Sequence, residues 1–421
     1  MKIRIITFGC SNNLAESEIM AGLLHNAGYT IVEENEDLRI VNVCSVKGPS
    51  LNKGIKAIKK SEVPVVATGC IPKSSISKLK NLNKQINLVN THNFYRILEV
   101  VECTLKGQSK DYLDYQKQER ICMPKFRKNP IINIVPISSG CKGNCTYCSV
   151  KPIKGNLFSF PLENILEEIK NSLKNGCKEI WITGQDTGCY GLDLGLTLPE
   201  LLKKILKIKG DFKVRLGMAN PVFICRYADE MTEIFNNKKM FKFLHLPVQS
   251  GSNKILWLMK RAYTSEQYVK LIEKIKAKHP DLTIATDIIV GFPTETEEDF
   301  LESINIIKKT KPDVLNLSKY WIRPETEAAS FDQIEGSIKK ERISRIKKNF
   351  EEIALKQNEK WIGWEGEIII DKKGKNDTMI GRNYAYKPVI AKGEYNLGKK
   401  LKIKIEKATK HDLRAQDLIN V

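Results

Sequence analysis

Gly140-Cys141-Lys142-Gly143-Asn144-Cys145-Thr146-Tyr147-Cys148 carries three thiols at C-x3-C-x2-C spacing, directly behind an apolar run from Ile131 to Ile137 that reads as a β-strand. Three thiolates on one tight loop can hold three irons of a 4Fe-4S cube and leave the fourth iron open to a substrate. Structural zinc is the competing chemistry, and it needs a fourth Cys or His nearby to close a tetrahedron. None lies in the loop, and Cys122 and Cys177 are the nearest.

Downstream of this loop, strand and helix patterns alternate. Candidate strands are Glu179 to Thr183, Lys213 to Gly217, Lys242 to Leu246, Thr283 to Asp287 and Val314 to Ser318. With the strand before the loop they make six β/α units, a partial TIM-like (β/α)6 barrel whose working residues belong on the loops behind each strand. A charged helical stretch runs from Ile338 to Lys360, and 361–421 reads as short strands between turn residues, a small β-barrel.

Upstream, 1–105 alternates β-branched runs with helical patterns: Ile3 to Phe8, a helix from Glu16 to Asn26, Ile40 to Val43, Val63 to Ala67 and Ile86 to Val89. This is the pattern of an open parallel α/β sheet. Residues 106–129, rich in Lys, Gln, Asp and Tyr, read as a linker to the 130–360 unit. Cys10, Cys44 and Cys70 each stand at the carboxyl end of a predicted strand. Those ends share one edge of a parallel sheet, where ligand sites form. One such Cys is most simply a small buried hydrophobe; three at the same strand position point to a second three-thiolate site. Cys103, Cys122, Cys177, Cys189 and Cys225 show no such placing and read as structural.

Lys and Arg outnumber Asp and Glu by 69 to 49, a net charge of +20, which favours a polyanion such as nucleic acid as partner. Within 361–421 the balance is 13 to 8, with Trp364, Tyr384 and Tyr386 interleaved, a composition suited to holding phosphates and stacking bases. No apolar run reaches the roughly 18 residues of a membrane span. The short start ending in Gly9-Cys10 is interrupted by Arg4, against a lipoprotein signal, so a cytoplasmic protein is expected. Eleven cysteines in that setting argue for metal ligands over disulfides.

The cysteine loop with Tyr147 before its last thiol, opening a β/α barrel, resembles the radical S-adenosylmethionine (SAM) superfamily. Two three-Cys sets in this order, followed by a small β-barrel similar to the TRAM domain, resemble the methylthiotransferases that modify tRNA or a ribosomal protein. The segments Ser17 to Leu24, Trp181 to Thr187, Phe243 to Ser252 and Gly381 to Val389 resemble the archaeal and eukaryotic branch. That branch adds a methylthio group to C2 of N6-threonylcarbamoyladenosine at position 37 of tRNA, beside the anticodon. The resemblance implies two 4Fe-4S clusters and SAM as cofactors. The cluster on Cys141, Cys145 and Cys148 would bind and cleave SAM; the one on Cys10, Cys44 and Cys70 would carry the sulfur. An electron donor and a sulfur source are implied partners, with no membrane.

By position on the barrel, Tyr147, Gly184, Gln185, Asp186, Arg215, Gln249, Asp287 and Gly291 are expected around SAM. Arg261, Arg382, Tyr384, Tyr386 and Lys387 are expected to meet the substrate RNA. His245 reads equally as an active-site or a core histidine, and no catalytic acid or base is assigned. The family's Gly-Phe-Pro-Gly-Glu stands here as Gly291-Phe292-Pro293-Thr294-Glu295, and its Pro-Arg-Pro-Gly-Thr as Ile322-Arg323-Pro324-Glu325-Thr326. The alternatives are the same chemistry on a ribosomal-protein aspartate or on isopentenyladenosine, or a non-catalytic iron-sulfur RNA-binding protein.

Overall fold

In the N-terminal unit, β-branched runs build a parallel sheet of five strands: β1 (Lys2–Phe8), β2 (Thr30–Ile31), β3 (Leu38–Cys44), β4 (Val65–Cys70) and β5 (Asn87–Asn90), in the order β2-β1-β3-β4-β5. The computed structural model describes residues 1–44, 48–82 and 85–417. The short β2 was not foreseen; two residues carry too little pattern to read. The first helix spans Ser11–Asn26 and begins five residues before the predicted Glu16. Its first turn, Ser11-Asn12-Asn13, lacks helix formers and works as a cap: Asn13 Oδ1 accepts from the Cys10 backbone N–H at 3.4 Å.

The predicted linker is an ordered strap on this domain. Tyr112 N–H donates to Leu88 O at 2.8 Å and Asn90 N–H to Tyr112 O at 2.9 Å. Further along, the Pro124 carbonyl presses on Gly22, where a Cβ would stand 2.4 Å from it. Low apolar periodicity made the segment look free, but an extended strap is held by backbone and polar bonds that leave no such period.

The second unit contains β6 (Ile132–Pro136), a short hairpin of β7 (Ser138–Ser139) and β8 (Phe158–Ser159), and then β9 (Glu179–Thr183), β10 (Lys213–Leu216), β11 (Phe243–His245), β12 (Thr283–Val290) and β13 (Val314–Lys319). Six strands form a partial barrel as two three-stranded parallel sheets, β6-β9-β10 and β11-β12-β13. The seam between them is bridged by Phe241 N–H donating to Val214 O at 2.9 Å. Val135, Ile180, Ile182, Val214 and Leu216 face the outer helices and form the main core with Ile165, Leu201 and Ile275. Their alternates Ile134, Trp181, Arg215 and Phe243 therefore face the barrel interior.

The chain ends in the long helix Gly336–Glu359 and a closed barrel of β14 (Glu365–Lys373), β15 (Thr378–Arg382), β16 (Pro388–Lys392), β17 (Lys400–Ala408) and β18 (Leu413–Asp417). This small barrel seals the amino end of the partial barrel. Tyr386 lies with its ring centre 4.9 Å from Phe241 and 5.2 Å from Phe243. Ile369 packs with Ile131, Ile132 and Ile134. Lys387 Nζ donates to Asp313 Oδ1 at 2.7 Å and to Asn358 Oδ1 at 2.9 Å.

Candidate radical SAM and second-cluster sites

The loop behind β6 is pinned from four sides. Gly140, at φ 75°, carries a backbone N–H that donates to Gln185 Oε1 at 2.7 Å, and a Cβ there would stand 2.0 Å from the Asn156 carbonyl oxygen. Lys151 Nζ donates to the Cys141 and Gly143 carbonyls at 2.7 and 3.1 Å. Thr146 Oγ1 donates to Leu258 O at 2.8 Å, and the Ala328 N–H, on the loop after β13, donates to Thr146 O at 3.0 Å. Tyr147 packs below the loop, edge-on to Phe292 at 6.3 Å. A loop fixed in this way holds its three thiols together as a set.

Arg261 is half-buried at the loop, with Nη1 3.4 Å from Cys145 Sγ and Nη2 donating to Pro247 O at 3.1 Å. It was expected at the substrate; the structure sets its guanidinium against the Cys145 thiol. Asp186 is 2% exposed, and Oδ1 accepts from Gly188 N–H at 3.0 Å and Asn220 N–H at 2.9 Å. Its Oδ2 lies 3.8 Å from Cys141 Sγ, and burial raises its pKa above the usual carboxylate value. Gly184 follows β9 next to Ser138.

Cys189, read as structural, stands against Cys141. Sulfur and carboxylate atoms of Cys141, Asp186 and Cys189 lie within 4.8 Å of one another. Hydrogen bonding from Cys189 pulls the Cys141 thiol below its ordinary pKa against the opposing effect of burial. Sequence gave no sign of this, because Cys189 lies 48 residues from Cys141 on another strand's loop.

Asp287 is deeper in the barrel, where Oδ1 accepts from His245 Nε2 at 2.8 Å and from Asn316 Nδ2 at 2.7 Å. His245 thus faces the interior, and Asn316 was missed because nothing in β13 singles it out. Gln249, at φ 74°, extends the sheet by donating its N–H to Asp287 O at 2.8 Å. Gly291, at φ 70°, makes room for Lys339, whose Cγ would lie 2.4 Å from a Cβ. Of the two departures, Thr294 adopts φ 67°, a left-handed conformation costly for a β-branched residue. Glu325 reaches the N-terminal domain, its Oε1 accepting from Ser74 N–H at 2.8 Å.

Arg215 sits at the floor of the barrel, its guanidinium 5.0 to 5.1 Å from the ring centres of Trp181, Phe243 and Tyr386. This is well below the cysteine loop, away from the SAM site expected for it. Of the residues expected to meet RNA, Tyr386 and Lys387 are buried in the domain interface, 8% and 3% exposed, and Arg382 Nε donates to Asp371 Oδ2 at 2.8 Å within the small barrel. Tyr384 OH donates to Asp281 Oδ2 at 2.9 Å. Aromatic and basic residues interleaved on short strands look the same in sequence whether they face RNA or a neighbouring domain.

The second cysteine set converges as expected. Cys44 and Cys70 are register partners on β3 and β4, and Cys10 caps the helix behind β1, the strand beside β3. Asn13 lies between them, 3.4 Å from Cys10 Sγ through Oδ1 and 4.0 Å from Cys70 Sγ through Nδ2. Hydrogen bonding with Cys44 and burial raise the Cys70 thiol well above its ordinary pKa. Burial of the sulfur and the Cys70 charge raise Cys10, although the residue as a whole is exposed. Three mutually repelling thiolates in one place are stable only on a metal centre, and the donor set fits a cube held by three sulfurs.

Residues 135–307 match the family model of the radical SAM superfamily, residues 2–91 that of uncharacterized protein family UPF0004, and residues 360–418 that of the TRAM domain. Among solved structures, the radical SAM methyltransferase TsrM from Kitasatospora setae, with tryptophan and aza-SAM bound, matches with a TM-score of 0.55 at 12% identity. The match covers 78% of this chain and 75% of that one, and it is a likeness of fold. Fold and cysteine loop together define a radical SAM protein.

The probable threonylcarbamoyladenosine tRNA methylthiotransferase of Pyrococcus abyssi is 38% identical over 398 residues, covering 93% of each chain. The Homo sapiens threonylcarbamoyladenosine tRNA methylthiotransferase is 35% identical over 430 residues, 99% of this chain and 74% of that one. The chain belongs to the threonylcarbamoyladenosine tRNA methylthiotransferase family.

Proposed function

We infer that the protein transfers a methylthio group to the adenine ring of N6-threonylcarbamoyladenosine beside the tRNA anticodon, with two 4Fe-4S clusters and SAM. The observation that carries this reading is the meeting of two three-thiol sites, one on the barrel loop and one on the sheet edge. The loop after β13 touches both: Ala328 bonds Thr146 between the thiols of the first, and Glu325 accepts from Ser74 N–H, four residues after Cys70 of the second, at 2.8 Å.

Cys141, Cys145 and Cys148 would hold the cluster that binds SAM, with Gly184, Gln185 and Asp186 along the amino-acid end of the cofactor. Cys10, Cys44 and Cys70 would hold the second. A bound, reduced cluster supplies the electron for SAM cleavage, the radical route that an unactivated adenine C–H requires. The chain's own residues contribute alignment: Arg261 steadies Cys145, Gln185 fixes the start of the loop, and His245 and Asn316 orient Asp287. Nucleoside mass spectrometry of tRNA from cells with and without the gene tests the reading. The methylthio derivative is expected to vanish with the gene, and an unchanged nucleoside profile would count against it.

For RNA, exposed side chains at the carboxyl rim of the barrel replace the interface residues as the best candidates. Trp257 is 75% exposed and Trp321 40%, unusual for so large an apolar ring. Trp257 lies on the helix whose end bonds Thr146, and Trp321 on the loop that bonds the same residue. Lys319 Nζ sits 4.6 Å from the Trp321 ring centre. Stacking of a single-stranded base is worth about 1–3 kcal/mol per aromatic side chain. Trp257→Ala and Trp321→Ala are each expected to weaken tRNA binding by about that much, with SAM cleavage in the absence of RNA retained. Filter binding at fixed salt measures it, and wild-type affinity in both variants would exclude the rim as the contact.

A further inference from the structure

A charged network with almost no solvent contact joins the two halves of the site. Glu16, on the helix behind Cys10, pairs with Lys154, six residues after Cys148, at 2.7 Å, and with Arg120 of the strap; the side chains are 1–3% exposed. Thr91 Oγ1 accepts from Arg120 Nη1 at 3.1 Å, donates to Glu16 and meets Lys154. His92 lies beside the network, its Nε2 2.6 Å from Ile153 O and its ring 4.4 Å from that of Tyr115, and burial holds its pKa below the ordinary value, which disfavours a further positive charge there. Glu16 is the one acid that pairs with these two cations among the described residues, which leaves one more buried positive charge than negative.

A buried charge without a partner is strongly unfavourable. Lys154 reaches the sheet edge that carries the thiols, meeting Glu16 on the helix that Cys10 caps and Thr91 just behind β5, the neighbour of the strand that ends in Cys70. Arg323, from the same domain as Lys154, lies on the loop that Glu325 ties to Ser74, four residues after Cys70. A 4Fe-4S cube on three thiolates is an anion, and one-electron reduction makes it more so. Size and sign agree with the surplus.

We propose that Lys154 is the counter-ion of the cluster on Cys10, Cys44 and Cys70, seconded by Arg323. The barrel domain thereby sets the reduction potential of a cluster whose thiolates all belong to the N-terminal domain. The proposal rests on the cluster assignment made above. Lys154 is a positioning residue that acts through charge, and charge can be counted. Lys154→Met removes the surplus cation, Glu16→Gln adds to it, and the double variant restores the original balance.

The test is a potentiometric titration followed by electron paramagnetic resonance on the reconstituted full chain. It is run in a Cys141→Ala, Cys145→Ala, Cys148→Ala background, so that only the second cluster reports. Lys154→Met is expected to shift the equilibrium at least tenfold toward the oxidised cluster, about 59 mV for one electron. Glu16→Gln should shift it the other way, with the double variant and Lys154→Arg within threefold of the parent. If Lys154→Met fails to retain iron, iron content should follow the same order, with the double variant recovering it. Both single changes moving the potential in one direction, or neither moving it, would overturn the proposal. An iron-free background protein would remove the cluster assignment and the proposal with it; a loaded one that ignores the charge count removes only the proposal.

Discussion

Replacing Cys141, Cys145 and Cys148 together with Ala is expected to abolish reductive cleavage of SAM and to leave about four of roughly eight irons in the anaerobically reconstituted protein. The triple change is the decisive form, because Cys189 and Asp186 already surround the Cys141 sulfur and can take over its iron in a single variant. Little else should move: the loop keeps its anchors through Gln185, Lys151 and Thr146, none of which uses a cysteine side chain. The complementary variant, with Cys10, Cys44 and Cys70 changed to Ala, is expected to cleave SAM to 5′-deoxyadenosine and to form no methylthio product. Iron analysis and product chromatography read both. A second variant that still held eight irons would place the second cluster elsewhere.

Deleting 361–421 is expected to unfold or aggregate the protein, with cluster content falling alongside. In sequence this unit looks like a detachable RNA-binding module. In the fold it is the floor of the barrel. Its removal would bare Trp181, Phe243, Ile132 and Ile134 and take from Asp313 its nearer cation, Lys387, 4% exposed in its side chain, leaving only Lys276 at 3.7 Å. Breaking one such buried pair costs about 3–5 kcal/mol, a large part of the stability of an ordinary domain. Lys387→Met isolates that contribution: the denaturant midpoint should fall by an amount equivalent to about 3–5 kcal/mol while the far-ultraviolet spectrum of the native protein is kept. A truncated chain that melts like the full one would show the barrel to be an appendage after all.

Sequence reading reached furthest where one period dominates. β9 runs from Glu179 to Thr183 as expected, and the other five barrel strands lie within a few residues of their predicted ends, because buried parallel strands are unbroken apolar runs. The convergence of Cys10, Cys44 and Cys70 was legible because each ends or directly follows a strand, and parallel strands bring their ends together whatever the distance in sequence. Side-chain destination was not legible. Arg215 and Tyr386 carry the same chemistry facing RNA, a cofactor or each other, and only the packing of one barrel onto another decides among these. Trp257 sits within Ile255 to Met259, an apolar run that gives no hint which of its members is left outside. Glu16 read only as the start of a helix.

The separation of that glutamate from its partners also has a bearing on synthesis. Arg120 and Lys154 follow Glu16 by 104 and 138 positions, so a ribosome that has released only the first sheet exposes a carboxylate with neither cation yet made. Folding of the amino-terminal sheet can begin early, but the helix cannot bury its acid until the strap and then the first barrel loop have emerged. Iron captured by Cys10, Cys44 and Cys70 before that moment would sit in a half-built, water-open nest. The order of the chain thus ties secure metal loading of the first domain to completion of part of the second.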